Sequence, residues 1–500
     1  MPPLLGADWS TMSVRVTIES SEFAATALLV RELSGREAIS ELFWFEVTLA
    51  PAAFGALVNG VGESGKDGPP LAGHGATLVF SEGRTVVRKV HGVIAECTEQ
   101  LDGDAPSSSY RIRLLPHLHR LSLVKLQRVI VDHSVPQVLE EKLTNVGLSG
   151  SLRLQETYAP ETLTVQYKES DLDFLRRLSE HEGISFFFEH GECDGSSATD
   201  RIVFSDTNET LAPSSEKVRL PFQRRGERTG VFRLDRQTRM APNYFVVVDY
   251  NEQRPANEIV ADHVGAEEGG GGVIEYGSNH SSIEQGKRLA RVRAEESAAA
   301  SDGFAGASDA VGLTAPCHLE VEDERRGTTH ELLVTEVEHR VAYGVGTDGA
   351  RALRYENTFR AIPFAQPFRP ARVTRKPRIH GFVTGLIEAA FPEVRQPWLD
   401  DQGRYGVHLH FDFSPAIPAA AYAVRMAQPS AASRGSYGMH FPLRPGTEVL
   451  IGFIDGDPDR PIIVGALPNA HAPSPVTSAD PRLSRIVSAR GVVFELNDGD

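Results

Sequence analysis

The 500-residue chain has only 3 cysteines, 5 methionines and 3 tryptophans. Cys97, Cys193 and Cys317 are odd in number and far apart, so they supply neither a disulfide framework nor a zinc-ligand spacing. Folding in a reducing compartment follows. Long hydrophobic runs are missing too. The longest apolar-looking stretch, Ile417–Val424, falls far short of the roughly 20 residues that cross a bilayer, so stable membrane integration is not expected. The first residues, Met1 to Asp8, hold no basic n-region and meet an acid early, which speaks against a cleavable signal peptide. Met12 can serve as the start, since strand-like alternation begins at Val14. Positive charge is in deficit, with 51 Lys and Arg against 67 Asp and Glu and a net charge of −16. General nucleic-acid binding, which needs a basic footprint, is thereby excluded. From Val373 onward 12 basic residues meet 13 acidic ones, so the acidic excess lies N-terminal to it.

What is present is the material of a soluble globular protein, 41% hydrophobic and 24% charged. The length predicts two to four domains of about 100–200 residues each. Short strands are expected at Arg15–Ile18, Phe43–Leu49, Ala76–Phe80, Thr85–Glu96 and Tyr110–Leu115, parted by loops at Val58–Pro70 and Asp102–Ser109. That spacing predicts a barrel or sandwich. Two punctuated helices follow. Ser134 to Gln137 forms a capping box ahead of Val138, Leu139, Leu143 and Val146, with Gly147 as the stop. Ser170 to Asp173 opens the second, which buries Leu172, Leu175 and Leu178 and ends at Gly183, before an apolar strand over Ile184–Glu189. A third helix from Ser281–Glu284 towards Glu296 is mostly charged and is expected to lie on the surface or to bridge other elements.

Strands resume at His318–Val321, Glu331–Val341 and Arg354–Ala361. Pro363–Pro377, rich in Pro and Arg, cannot sit inside a sheet and reads as a linker. A compact all-β unit follows, from about Gly381 to Leu467. Its clearest stretch is His440–Leu467, where Glu448–Ile454 and Pro461–Val464 flank a turn at Asp455-Gly456-Asp457-Pro458. Asp and Gly tolerate positive φ there, while Pro458 and Pro461 fix φ and remove donors, so the chain must reverse. The tail gives one alternating strand, Gly491–Leu496, expected to lack a partner in its own chain.

His440–Leu467 resembles the OB-fold segment of VgrG proteins, the spike-tip components of type VI secretion systems. Other blocks resemble the same family in order: Glu41–Val47, His91–Ile94, Gln166–Leu178 with Glu182–Ile184, Tyr355–Phe359 with Ile362-Pro363 and Phe368–Pro370, and Asp401–Asp412. The resemblance implies a mainly β (α+β) fold. A phage-hub-like body with two β-barrel domains and helical insertions would occupy residues 1–370, and a Pro/Arg linker 371–380. An OB-fold β-barrel would fill 381–467, with a neck and the start of a trimeric β-helix stalk at 468–500. The stalk would only begin where the sequence reaches Asp500.

No catalytic, cofactor-binding or metal-binding residue is expected. Asp455, Asp457 and Asp459 alternate as in a calcium loop, but the sixth and twelfth positions are Arg460 and Ala466 instead of Gly and Glu. His408, His410 and His440 offer imidazoles without acidic or thiolate company and read as core or rim residues. His181-Glu182 lacks the second His of a zincin helix and reads as a solvated helix end. Gly269–Gly272 lacks the Lys-Ser/Thr of a phosphate loop, and Gly435–Gly438 is no nucleophile elbow. The basic run Arg369, Arg372, Arg375, Lys376, Arg378 and His380 is expected to pack against the body or a neighbouring subunit rather than DNA.

The resemblance implies a non-enzymatic homotrimer that caps an Hcp-type hexameric tube. It would assemble with baseplate components in the bacterial cytoplasm, carry a PAAR-type tip protein and cargo effectors, and leave the cell on firing. The alternatives are the hub-spike of a phage tail or extracellular injection system, and a spike-borne peptidoglycan hydrolase.

Overall fold

A computed structural model describes residues 14–22, 28–51, 71–100, 109–148, 150–191, 199–225, 228–252, 255, 259–265, 270–345, 351–390, 396–413, 423–433, 435–497 and 499. Met12, the loop at Val58–Pro70, all of the Asp102–Ser109 loop but Ser109, Cys193, Gly269, most of Ile417–Val424 and Asp500 lie outside the described residues.

In chain order the first strands are β1 (Val14–Ser20), β2 (Leu28–Ala38), β3 (Trp44–Pro51), β4 (Gly75–Glu82), β5 (Thr85–Gln100) and β6 (Ser109–Leu115). A 3-10 helix over His117–Leu123 leads to β7 (Lys125–Ile130), α1 (Val135–Asn145), β8 (Gly150–Arg153), β9 (Thr164–Ser170) and α2 (Asp171–Glu182). Next come β10 (Ser185–Gly191), β11 (Thr199–Ser205), the single turn α3 (Asn208–Leu211), β12 (Val218–Pro221) and β13 (Val231–Thr238). β14 (Tyr244–Asp249), β15 (Ile259–Val264) and β16 (Gly272–Tyr276) precede α4 (Ile283–Ser301). β17 (Asp302–Ser308), β18 (Cys317–Asp323), β19 (Thr328–Val345) and β20 (Arg351–Pro363) follow. The last strands are β21 (Val383–Ile387), β22 (Tyr405–Leu409), β23 (Ala423–Met426), β24 (Glu448–Phe453), β25 (Pro461–Ala466), β26 (Leu483–Val487) and β27 (Val493–Asn497).

Two compact units result. The larger takes Met1–Val124, Pro136–Tyr158 and Leu175–Thr374. Its frame is a twelve-stranded sheet running β1-β4-β5-β6-β3-β2-β19-β20-β17-β13, with β18 on β19 and β12 on β18. Period-2 alternation gives this sheet two apolar interiors. Ile18, Leu33, Phe45, Leu78, Ile94 and Leu114 fill the first, and Val231, Leu313, Leu319, Val321 and Leu332 the second. β19 serves both, through Val341 in the first and Val334 and Val337 in the second. The fold is mainly β, as the alternation predicts.

Helix α4 bridges other elements rather than lying free on the surface. It runs to Ser301 and buries Leu289 and Ala290 with Val247 and Ala261 of the β15-β14-β16 sheet. Gly286 permits the approach, since a Cβ there would lie 2.9 Å from the Ala261 Cβ. Its buried Arg293 donates to the His181 carbonyl at 3.0 Å, so a charged sequence does not keep this helix in water. Burial pushes that guanidinium down to about 10.

The smaller unit takes Lys125–Val135, Ala159–Phe174 and Arg375–Asp500. Strands β21-β22-β23-β25-β24 close into a barrel. Val407, Leu409, Val424, Val449, Ile451 and Ile463 form its core, joined by Val129 and Val165 from the antiparallel pair β7 and β9. Tyr167 of β9 meets Phe411 edge-on at 5.3 Å. The unit is therefore discontinuous in sequence. Its final strand is not single as expected: β27 pairs antiparallel with β26, from Leu483↔Asn497 to Val487↔Val493.

Candidate interaction site

The turn between β24 and β25 is built as its residue types require. Asp455 and Gly456 take φ of 53° and 70°, and the Ile454 N–H reaches the Arg460 carbonyl at 3.0 Å. The three alternate acids hold cations of the chain itself. Lys376 Nζ lies 2.6 Å from both Asp457 Oδ1 and Asp459 Oδ2, and Arg378 lies 3.0 Å from Asp455 Oδ2. The other oxygen of Asp459 accepts the Val165 N–H at 2.6 Å. An ammonium group thus occupies the space between carboxylates that a calcium loop would give to the metal. The turn is a clasp. Replacing Gly456 and Pro458 together by Val should destabilise this unit by about 1–3 kcal/mol, because a branched residue is strained at positive φ. Thermal unfolding of the full chain measures it, and an unchanged transition would remove the turn's assigned role.

The basic run divides between the two units. Arg369 is buried, 2.6 Å from Glu295, and donates to the carbonyls of Gly183 and Asp206, while Arg372 meets Glu275 at 2.9 Å. Thr374 donates to Glu180 through both N–H and Oγ. Lys376 and Arg378 belong to the clasp.

The three barrel histidines have separate partners. His410 Nδ1 is 2.7 Å from Thr384 Oγ1. His440 stacks on Tyr405, with Nε2 3.0 Å from the Tyr405 hydroxyl and Nδ1 3.0 Å from the Gln428 amide. His408 acts on Glu388, whose carboxyl burial raises against the pull of that imidazole. Among the described residues no three His, Cys, Asp or Glu gather as metal ligands. Glu182 is not solvated as expected: it is buried and ion-paired with Arg288. Burial with a partner replaces hydration there.

One polar constellation was not anticipated. In the first interior Glu37 Oε2 lies 2.8 Å from His339 Nε2, and His339 Nδ1 lies 2.7 Å from the Tyr355 hydroxyl. Arg88 pairs with the other Glu37 oxygen, and Asn357 donates to Tyr355 at 3.1 Å and to the Ala310 carbonyl at 2.9 Å. Burial pushes the Glu37 carboxyl up, but Arg88 and His339 outweigh it and hold the group well below the usual carboxylate range. Burial lowers His339 and raises the Tyr355 phenol. Carboxylate, imidazole and hydroxyl stand in relay order, but the His339 side chain has no exposure and stacks on Phe45. A substrate cannot reach it. The local signal lay on β19, where His339 alternates with inward Val337 and Val341.

The apolar surface at the C-terminal end is of another kind. Ile486, Val487, Val492, Val493, Phe494 and Leu496 are all exposed, and every residue of β27 faces solvent. A lone two-stranded hairpin is marginal in water.

The chain as a whole is similar to known proteins. The model of the phage tail baseplate hub family matches residues 36–345. The chain belongs to that family. Among curated relatives of this hub protein, the type VI secretion system spike protein VgrG1b of Pseudomonas aeruginosa is 27% identical over 481 residues, covering 93% of this chain and 61% of its own. VgrG1c of the same organism is 26% identical, with 92% and 62% covered. The chain thus spans about three fifths of the length of these relatives. The actin cross-linking toxin VgrG1 of Vibrio cholerae is 24% identical and covered to 43%. The fold is shared with an Escherichia coli component of the type VI secretion system described as similar to the bacteriophage T4 tail proteins gp27 and gp5. The TM-score is 0.61 at 21% identity, covering 91% of this chain and 100% of that one. It is shared too with a Francisella PdpA–VgrG complex, at TM-score 0.58 and 9% identity, covering 98% and 83%.

Proposed function

We propose that this hub protein works as a trimeric spike at the tip of a type VI secretion machine. It caps an Hcp-type inner tube, nucleates tube assembly on a baseplate, and is expelled to puncture the target membrane and deliver effectors. The observation that carries this reading is the hairpin β26–β27, whose second strand is wholly exposed and apolar at Val493, Phe494 and Leu496, and which follows a closed barrel in a chain of the hub family. Three copies would bury those side chains against one another and continue into a β-helical stalk. The working division is a hub body at 1–370, a linker at 371–380, an OB-type barrel at 381–467 and a neck at 468–500.

The role is mechanical and non-enzymatic; in support, the relay-like set Glu37, His339 and Tyr355 among the described residues is sealed in an apolar interior. Partners are the tube, baseplate components, a PAAR-type tip protein and cargo effectors, with neither nucleic acid nor stable membrane integration. Assembly takes place in the bacterial cytoplasm, and firing carries the protein outside. The hub-spike of a phage tail or an extracellular injection system is the second reading, favoured by the family match itself.

Light scattering at micromolar concentration should give about three times the 54.5 kDa chain mass. Val493→Asp with Phe494→Asp should shift the protein towards monomer while leaving its circular dichroism unchanged. A monomeric parent would end the trimer reading.

A further inference from the structure

In the larger unit β10 and β11 form a small sheet with β8, outside the twelve-stranded one. Histidines line the seam between β10 and β5 of the twelve-stranded sheet. The His91 backbone N–H on β5 donates to His190 Nδ1 on β10 at 3.2 Å, and the two rings are 6.0 Å apart. An imidazole nitrogen that accepts carries no proton, so the neutral His190 ring holds its proton on Nε2. That Nε2 is shut off from solvent and has no hydrogen-bond partner among the described residues. His91 Nδ1 is engaged by Thr77 Oγ1 at 2.8 Å, and the Phe43 ring lies 5.3 Å from the His190 ring. One step along, Asp200 of β11 takes the His117 backbone N–H at 2.8 Å and pairs with its imidazole.

A second proton on His190 must go to Nδ1, the atom that accepts from His91. It would set two donors against each other and place a cation in a nearly dry seam beside a second imidazole. The groups facing the pair are Arg88 and Lys89 on β5, Glu37 on β2, Glu19 on β1, Asp200 on β11 and His117 after β6. The closed seam suits the neutral His190 ring, whose Nδ1 accepts from His91 and cannot donate there as well.

We infer that the His91–His190 seam is a proton-operated latch, whose protonation releases the β10–β11 strands from the twelve-stranded sheet. Burial lowers His190 to about 4, against the opposing pull of Glu37 and Asp200, and lowers His91 as well. Both shifts have one sign. The open seam binds protons that the closed seam excludes, so closure is at full strength above the ordinary histidine value near 6.5 and weakens as pH falls towards 4. One such histidine changes the opening equilibrium by up to about tenfold per pH unit in that window.

Hydrogen exchange on the full chain tests this, read on peptides spanning Lys89–Ile94 and Phe187–Gly191 and corrected for the intrinsic effect of pH. Protection there should fall at least about tenfold from pH 7.5 to pH 5, with the β19–β20 peptides unchanged. His190→Asn keeps an acceptor near Nδ1 but cannot titrate, and should abolish the dependence. Equal protection at both pH values, or an unaltered dependence in that variant, overturns the latch. Should the variant not fold, the parent decides by its pH series. A loss centred between 6.5 and 4 supports the latch, and a loss only below 4 refutes it.

Discussion

Glu37→Leu should lower the stability of the larger unit by about 3–5 kcal/mol. The substitution removes the counter-charge of Arg88 and the hydrogen-bond partner of His339 from a site where Glu37 is 6% exposed. A buried guanidinium left unpaired must be desolvated without compensation, and this dominates the loss. The triple variant Glu37→Leu, Arg88→Met, His339→Phe should recover most of it, since apolar groups of similar volume need no partner. Chemical unfolding followed by fluorescence measures both. A single variant within 1 kcal/mol of the parent would show that the network carries no such strain. Linkage gives the same direction in acid. The lowered Glu37 contributes stability above its unfolded value of 4.5, and that contribution is lost as pH falls through the folded value.

Asp459→Ala should cost the smaller unit about 1–4 kcal/mol, the sum of two losses. The Val165 N–H, on a residue with no exposure, is left without its acceptor, at about 1–3 kcal/mol. Lys376 keeps only Asp457, and the weakened ion pair adds up to about 1 kcal/mol. Asp459→Asn should lose less, because its amide oxygen still accepts from Val165. Asp455→Ala should change almost nothing, since the Asp455 and Arg378 side chains are 76% and 55% exposed. Equal effects at Asp455 and Asp459 would show that the clasp acts through general charge, not through the Val165 contact.

Much of the fold was legible because its signals are local. Ser170 accepts the Asp173 N–H at 3.0 Å, as its capping pattern predicts. The third helix is capped by Ser282 through the Gln285 N–H, one position later than expected. The Asp455-Gly456 reversal and its flanking strands were readable for the same reason: φ preferences act on one residue at a time. Strand β2 was not. Its apolar phase is broken by a register shift between Val30 and Glu32, and Gly35 leaves no side chain to count. That glycine makes room for the Phe45 ring, 2.2 Å from where a Cβ would stand, a contact no short window of sequence contains.

The sequence by itself determined the mainly β character, the helix starts, the acidic turn and, through ordered blocks, the family. These depend on backbone preferences and on side-chain period within a few residues. The tertiary structure alone decided that Val129 and Val165 complete a barrel core whose other residues lie more than 200 positions later. It alone brought Glu37, Arg88, His339 and Tyr355 together inside one apolar interior, and set His190 against the His91 amide. Buried charges and unpartnered strands find each other only when the chain closes, because the free energy of their pairing depends on a dry interior that no local segment possesses.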